Sequence, residues 1–185
     1  IDRFAASIPD GGQVIDVGAG MSTLGTAICA KRDDIKWVNF DAAYDNEALR
    51  FPMWNKPDNL ERVGGDVLDL PNVLANRRFD RVLSYFLLPH ILLSGDKNGA
   101  TAARNILGLA SEGGNISIGP TRTSPRNFFR IDRCLHFDAP LSEEQLESQT
   151  QEIVSRLRLN MPIAISWRQK NKQRYRKRLA GESAF

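Results

Sequence analysis

Asp16, Gly18 and Gly20 lie within Val14-Ile15-Asp16-Val17-Gly18-Ala19-Gly20-Met21-Ser22-Thr23-Leu24-Gly25, the stretch of the chain richest in chemical content. An apolar run enters a glycine turn, and a helix-like segment leaves it. Gly18 and Gly20 permit a backbone that a Cβ would obstruct, so a ligand can come close to the main chain. The helix start behind them offers unpaired N–H groups to a negatively charged group. A tight strand-to-helix connection with no ligand reads the same locally, so the turn alone is weak evidence.

Two further acids stand in phase with it. Asp41 ends the apolar run Lys36–Asp41, where a carboxylate can accept hydrogen bonds from both hydroxyls of a ribose. Asp66, in Gly65-Asp66-Val67-Leu68-Asp69-Leu70-Pro71, can accept one from an adenine amino group. Phe79-Asp80-Arg81-Val82-Leu83-Ser84 supplies a further strand whose C-terminal end would lie by the reactive part of a ligand. In open α/β sheets ligands bind beyond the carboxyl ends of the strands, and all of these residues sit there. Singly, each acid is an ordinary cap or turn residue; three in register with three strand ends form a pattern.

From Gln13 to Gly119 the chain resembles the class I S-adenosylmethionine-dependent methyltransferases. The resemblance rests on the Asp16-x-Gly18-x-Gly20 turn, Asp41 after the second strand, Gly65-Asp66 before Leu70-Pro71, Phe79-Asp80-x-Val82-Leu83-Ser84, and Gly113-Gly114 before a fifth strand. It implies a Rossmann-like α/β fold, a mainly parallel sheet with helices on both faces, and S-adenosyl-L-methionine as cofactor. Gly18 and Gly20 would flank its methionine part, with Asp16 and Ala19 in the same turn. Asp41 would bind the ribose, with Ala42 beside the adenine; Asp66 and Val67 would read the adenine edge. Ser84 and Tyr85 would border the transferred methyl.

A nicotinamide-dependent oxidoreductase uses the same fold and also places an acid on a ribose. Its fingerprint has a third glycine where this chain has Thr23, and no Tyr-x-x-x-Lys occurs: Ala48, Pro89 and Leu179 stand four residues after the three tyrosines. Candidate bases for methyl transfer are Tyr85 and His90. No Asp-Pro-Pro-Tyr or Asn-Pro-Pro-Tyr follows the fourth strand and no Pro-Cys pair exists, which disfavours amino groups of DNA bases and pyrimidine carbons as acceptors.

The elements that must position these residues alternate in the α/β manner. Strands are expected at Gln13–Val17, Lys36–Asp41, near 62–64, at Phe79–Ser84 and at Asn115–Gly119, and helices from Ser22 to about Lys31 and over Asn98–Ala110. Thr121–Pro140 has no clear period and reads as a long loop or irregular cap. Ser142-Glu143-Glu144-Gln145 fits a capping box, opening a helix to about Leu159. Pro162–Trp167 alternates as a strand would. One domain is expected over residues 1–185, with a cofactor-binding core (1–120) and a substrate-side loop, helix and basic segment (121–185).

Hydrophobic residues at 42% and charged ones at 25% suit a globular protein. No apolar run reaches the ~20 residues of a membrane helix. No signal-peptide pattern is visible, and the chain opens at Ile1 rather than Met. Cys29 and Cys134 form no C-x-x-C pair and read as buried thiols, consistent with a cytoplasmic protein. With only His90 and His136 besides, neither a structural zinc site nor any other metal site is expected.

The net charge of +3 conceals an asymmetry. Arg168, Lys170, Lys172, Arg174, Arg176, Lys177 and Arg178 leave the rest of the chain slightly acidic. Period two would put Arg168, Lys170, Lys172, Arg174, Arg176 and Arg178 on one face of an antiparallel or irregular C-terminal segment. That face is either a solvated edge or, with Trp167 and Tyr175 as stacking surfaces, a phosphate-tracking contact to RNA. Arg122, Arg126, Arg130 and Arg133, with Phe128 and Phe129, form a second basic stretch. The expected activity is methyl transfer, with RNA ahead of a small molecule or protein as acceptor. The alternative is a non-catalytic module of the same fold that binds RNA or a protein partner through the basic segment.

Overall fold

The inner strands are buried on both faces because they lie in the middle of a layered sheet. The computed structural model describes residues 1–20, 23–45, 56–85, 87–119 and 134–158. The strands are β1 (Gln13–Val17), β2 (Lys36–Phe40), β3 (Leu60–Val63), β4 (Phe79–Tyr85), β5 (Ala110–Gly119) and β6 (Leu135–Asp138). They form one sheet in the order β3-β2-β1-β4-β5-β6. All pairs are parallel except β5 with β6. The helices are α1 (Asp2–Ala5), α2 (Thr23–Cys29), α3 (Leu70–Val73), α4 (Leu87–Leu92), α5 (Asp96–Leu107) and α6 (Glu143–Arg158). Parallel neighbours need crossover connections; α2, α3, α4 and α5 lie in them, while α1 precedes β1 and α6 follows β6. This is the Rossmann-like arrangement with helices on both faces.

Alternation along the strands divides the core into two layers. Val14 and Leu83 pack with Ala5, Ile8, Ile28 and Trp37 on the α1–α2 side. Ile15, Val17, Val82, Ile116 and Ile118 pack with Leu88, Ala103, Ile106, Ile153 and Leu157 on the α4–α6 side. The capping box forms as expected: Ser142 N–H donates to Gln145 Oε1 (2.8 Å) and Gln145 N–H to Ser142 Oγ (3.2 Å). Ser142→Ala is expected to cost about 1 kcal/mol, read as a lower urea midpoint with an unchanged slope.

Four expectations change. The third strand begins earlier, at Leu60. The fifth helix spans Asp96–Leu107, and Ala110 already pairs with Phe79 at the start of β5, ahead of a register shift. Within the expected loop Thr121–Pro140, Leu135–Asp138 is a strand antiparallel to β5. Its alternation, with Leu135 and Phe137 buried and His136 and Asp138 exposed, is only four residues long and too short to stand out from sequence. No helix among the described residues is long and apolar enough to cross a membrane. The expected strand Pro162–Trp167, the basic segment Arg168–Arg178 and the stretch from Arg122 to Arg133 lie outside the described residues.

Candidate functional site

The glycine turn is tied to the end of β2 from both sides. Gly18 and Ala19 N–H donate to Phe40 O (2.7 and 3.2 Å). The Asp41 carboxylate accepts from Gly20 N–H through one oxygen and from Ala43 N–H through the other, each at 2.9 Å. Tyr44 Oη donates to Gly20 O (2.7 Å), and the Arg62 guanidinium stands 5.1 Å from the Tyr44 ring centroid. Both glycines take positive φ, +80° at Gly18 and +53° at Gly20. A Cβ on Gly18 would sit 2.7 Å from Leu87 Cβ, whereas one on Gly20 would meet nothing within 4 Å. Gly20→Ala therefore bears only the left-handed backbone cost, about 1 kcal/mol, measurable by urea unfolding.

Beyond the ends of β1–β3 opens a cleft of about 90 Å³ lined by Gly18, Phe40, Asp41, Ala42, Gly65, Asp66, Val67, Leu87 and Ile91. The structure thus brings Gly18, Asp41, Ala42, Asp66 and Val67 into one depression. Asp66 follows β3 by three residues and caps the short 3₁₀ turn Val67–Asp69, its Oδ1 accepting from Leu68 N–H (2.9 Å). A carboxylate offers about four acceptor positions. Among the described residues Asp41 accepts from two backbone N–H groups and Asp66 from one, which leaves each acceptor capacity for a ligand's hydroxyl or amino hydrogens. Phe40, Leu87 and Ile91 make the remaining wall apolar, as a flat heterocycle requires. The cleft is smaller than the ~300–1,000 Å³ of ordinary small-molecule sites.

Asp16 lies below this rim, 7% exposed, at the end of β1. Burial first, and then the charge of Asp41, push its carboxyl up to about 7. Among the described residues no hydrogen-bond donor meets it. Two carboxylates near the glycine turn, one of them desolvated, make a site that a cation would relieve. Burial, and then the opposing pulls of Arg62 and the two aspartates, push the Tyr44 phenol up to about 12. Tyr44 is therefore a fixed neutral donor.

Ala19 and Gly20 belong to the turn but not to the lining of the cleft. Ser84 and Tyr85 stand outside it, on opposite faces of β4. Ser84 is buried, and its hydroxyl has no hydrogen-bond partner among the described residues. The Tyr85 phenol is raised far above its usual range, by burial first and then by Cys134 and Asp16. It stays protonated near neutrality and can donate a hydrogen bond. His90 is on α4, but the cleft-facing residues of that helix are Leu87 and Ile91. Sequence reasoning missed Tyr44, Leu87 and Ile91. The i, i+4 spacing of the last two was available as a signal; the Tyr44–Gly20 contact had none. Among the described residues no cluster of His, Cys, Asp and Glu could hold a metal ion.

No protein-family model and no curated protein matches the chain. Among solved structures, LaPhzM is similar at 25% identity and TM-score 0.46, over 58% of this chain and 31% of that one. An O-methyltransferase family protein from Burkholderia thailandensis is similar at 16% identity and TM-score 0.46, over 63% and 35%. CalO1, a methyltransferase in calicheamicin biosynthesis, in its S-adenosylhomocysteine-bound form, is similar at 15% identity and TM-score 0.48, over 83% and 40%. This chain spans about a third to two fifths of the length of each.

Proposed function

We propose that the chain is an S-adenosylmethionine-dependent methyltransferase, its cofactor seated against the glycine turn with the adenosine in the cleft. The observation that carries this reading is the convergence of Gly18, Asp41 and Asp66 on one depression beyond the ends of β1–β3. Asp41 would hold the ribose, Asp66 and Val67 the adenine edge, and Ala42 its face. The buried Asp16, beside Asp41, would answer the cationic methionine end. When bound, the cofactor supplies an already activated methyl, so the protein's task is chiefly alignment. Alignment contributes up to ~7–11 kcal/mol, against roughly 3–5 kcal/mol for the ~10²–10⁴-fold gain from a general base.

On this reading residues 1–120 are the cofactor core and 121–185 the acceptor side of a single domain. RNA is the acceptor that Arg168, Lys170, Lys172, Arg174, Arg176 and Arg178 favour, since alternating cations with interleaved aromatics suit a phosphate backbone. The second reading, a non-catalytic module using the same basic segment, is favoured by the position of Tyr85 and His90, neither of which is among the residues lining the cleft. Titration calorimetry of the purified chain with S-adenosylmethionine tests the first. Neither heat nor a rise in Tm with cofactor would sink it, while turnover to S-adenosylhomocysteine on any acceptor would sink the second.

A further inference from the structure

The strand register aligns one row of side chains across the sheet on the α1–α2 face: Arg62, Asn39, Asp16, Leu83, Ser117 and His136. Every member except Leu83 is polar, in a layer where an apolar side chain would cost nothing to bury. At its cofactor end Asn39 is satisfied by Trp37 Nε1–H (2.8 Å). At the other end Ser117, 5% exposed, sits 2.9 Å from Nδ1 of the exposed His136. One step nearer the strand ends, on the same face, stand Tyr85 and Cys134, close enough that Cys134 raises and Ser117 lowers the Tyr85 phenol.

This contact fixes more than position. It draws the His136 ring inward over β5, about 5 Å by strand spacing from β4, whose end carries Tyr85. Nδ1 faces a buried hydroxyl, so the opposite ring nitrogen, Nε2, points away from it. If Nδ1–H donates to Ser117 Oγ, Nε2 carries the lone pair, which is the arrangement of a base held in one tautomer by an orienting partner. Asp16 sits three strand spacings from His136, roughly 14 Å along the row.

We propose that His136, oriented by Ser117, is the base that takes the proton from the methyl acceptor, on the β4–β6 side of the sheet. The proposal rests on the methyltransferase reading. As the acceptor's oxygen or nitrogen bonds to the methyl carbon, the carbon–sulfur bond breaks and its electron pair stays on sulfur. The acceptor's proton passes to His136 Nε2, and the imidazolium releases it to water. Ser117 is a positioning residue.

Long-range ¹H–¹⁵N NMR of the two histidines in the full chain tests this, His136→Gln identifying the resonances. His136 is expected as the Nδ1–H tautomer, lost in Ser117→Ala and restored in Ser117→Thr, with His90 unchanged as the control for folding. S-adenosylmethionine and S-adenosylhomocysteine differ by one methyl and one positive charge. If His136 faces the transferred methyl, its midpoint should be lower with the sulfonium bound than with the thioether, since a like charge disfavours the imidazolium. The groups facing His136 that could obscure the shift are Tyr85 and Cys134 on its own face, Asp138 on its own strand and Asp16 along the row. The comparison between the two ligands holds all of them constant. An Nε2–H tautomer indifferent to Ser117, or an equal midpoint with both ligands bound, overturns the proposal. If neither ligand binds, the cofactor reading fails first, and the His136 assignment falls with it.

Discussion

Asp16→Asn is expected to be more stable than the parent at pH 8 and weaker at holding cofactor. Burial and the Asp41 charge raise the Asp16 carboxyl from 3.8 to about 7. A carboxyl raised in the folded state binds more protons there than in the unfolded chain. The parent is therefore unpenalised below about pH 4, loses stability as pH climbs toward 7, and carries a constant penalty above it. At 1.36 kcal/mol per pKa unit, that shift sets the penalty at about 4 kcal/mol as an upper bound. Asparagine removes the charge, so urea unfolding should show the variant gaining over the parent between pH 4 and 7, with coincident stabilities near pH 3.5. Calorimetry at pH 8 should show at least a tenfold loss in S-adenosylmethionine affinity, because a charged partner is typically worth ~1.5–3 kcal/mol. Identical pH profiles for the two proteins would show that Asp16 is not desolvated in the way described.

Asp41→Ala should lose on both counts. The carboxylate holds Gly20 and Ala43 N–H groups while keeping acceptor capacity for a ribose. Its removal leaves two backbone donors to find water and removes the brace on the turn, about 1–3 kcal/mol of stability. Cofactor affinity should fall tenfold or more, since charged hydrogen bonds are worth ~1.5–3 kcal/mol each. The like-charge contribution to Asp16 also vanishes, so Asp16 should titrate lower in this variant. Asp41→Asn keeps one oxygen acceptor and should fall between the two. Cofactor binding by Asp41→Ala equal to the parent would remove the ribose assignment while leaving the fold assignment intact.

The parts legible in the sequence are those that backbone geometry forces. A glycine pair between an apolar run and a helix, with acids following two later strands, admits few arrangements, and Gly18, Asp41 and Asp66 do share a cleft. Ser142 and Gln145 cap each other because the motif is local. What escaped depends on distant partners. Tyr44 reaches Gly20 across 24 residues, and a phenol has no spacing rule that points to a carbonyl. Leu135–Asp138 pairs across a stretch outside the described residues, and four residues carry too little alternation to separate strand from loop. Ser84 and Tyr85 looked like adjacent members of one site. Strand geometry sends them to opposite faces, as it must for any two consecutive residues in a strand.

The polar line crossing the sheet also bears on how the sheet finds its pairing. Sliding β1 by one residue would turn Asp16 into the layer occupied by Ile15 and Val17, and the same slip on β2 or β5 would bury Asn39 or Ser117 among aliphatic side chains. An ionisable or amide group stranded there costs several kcal/mol, whereas a wholly apolar sheet would register such an error only weakly. The groups that tax the native state therefore tax a one-residue slip more, and act as an indexing mark for strand assembly.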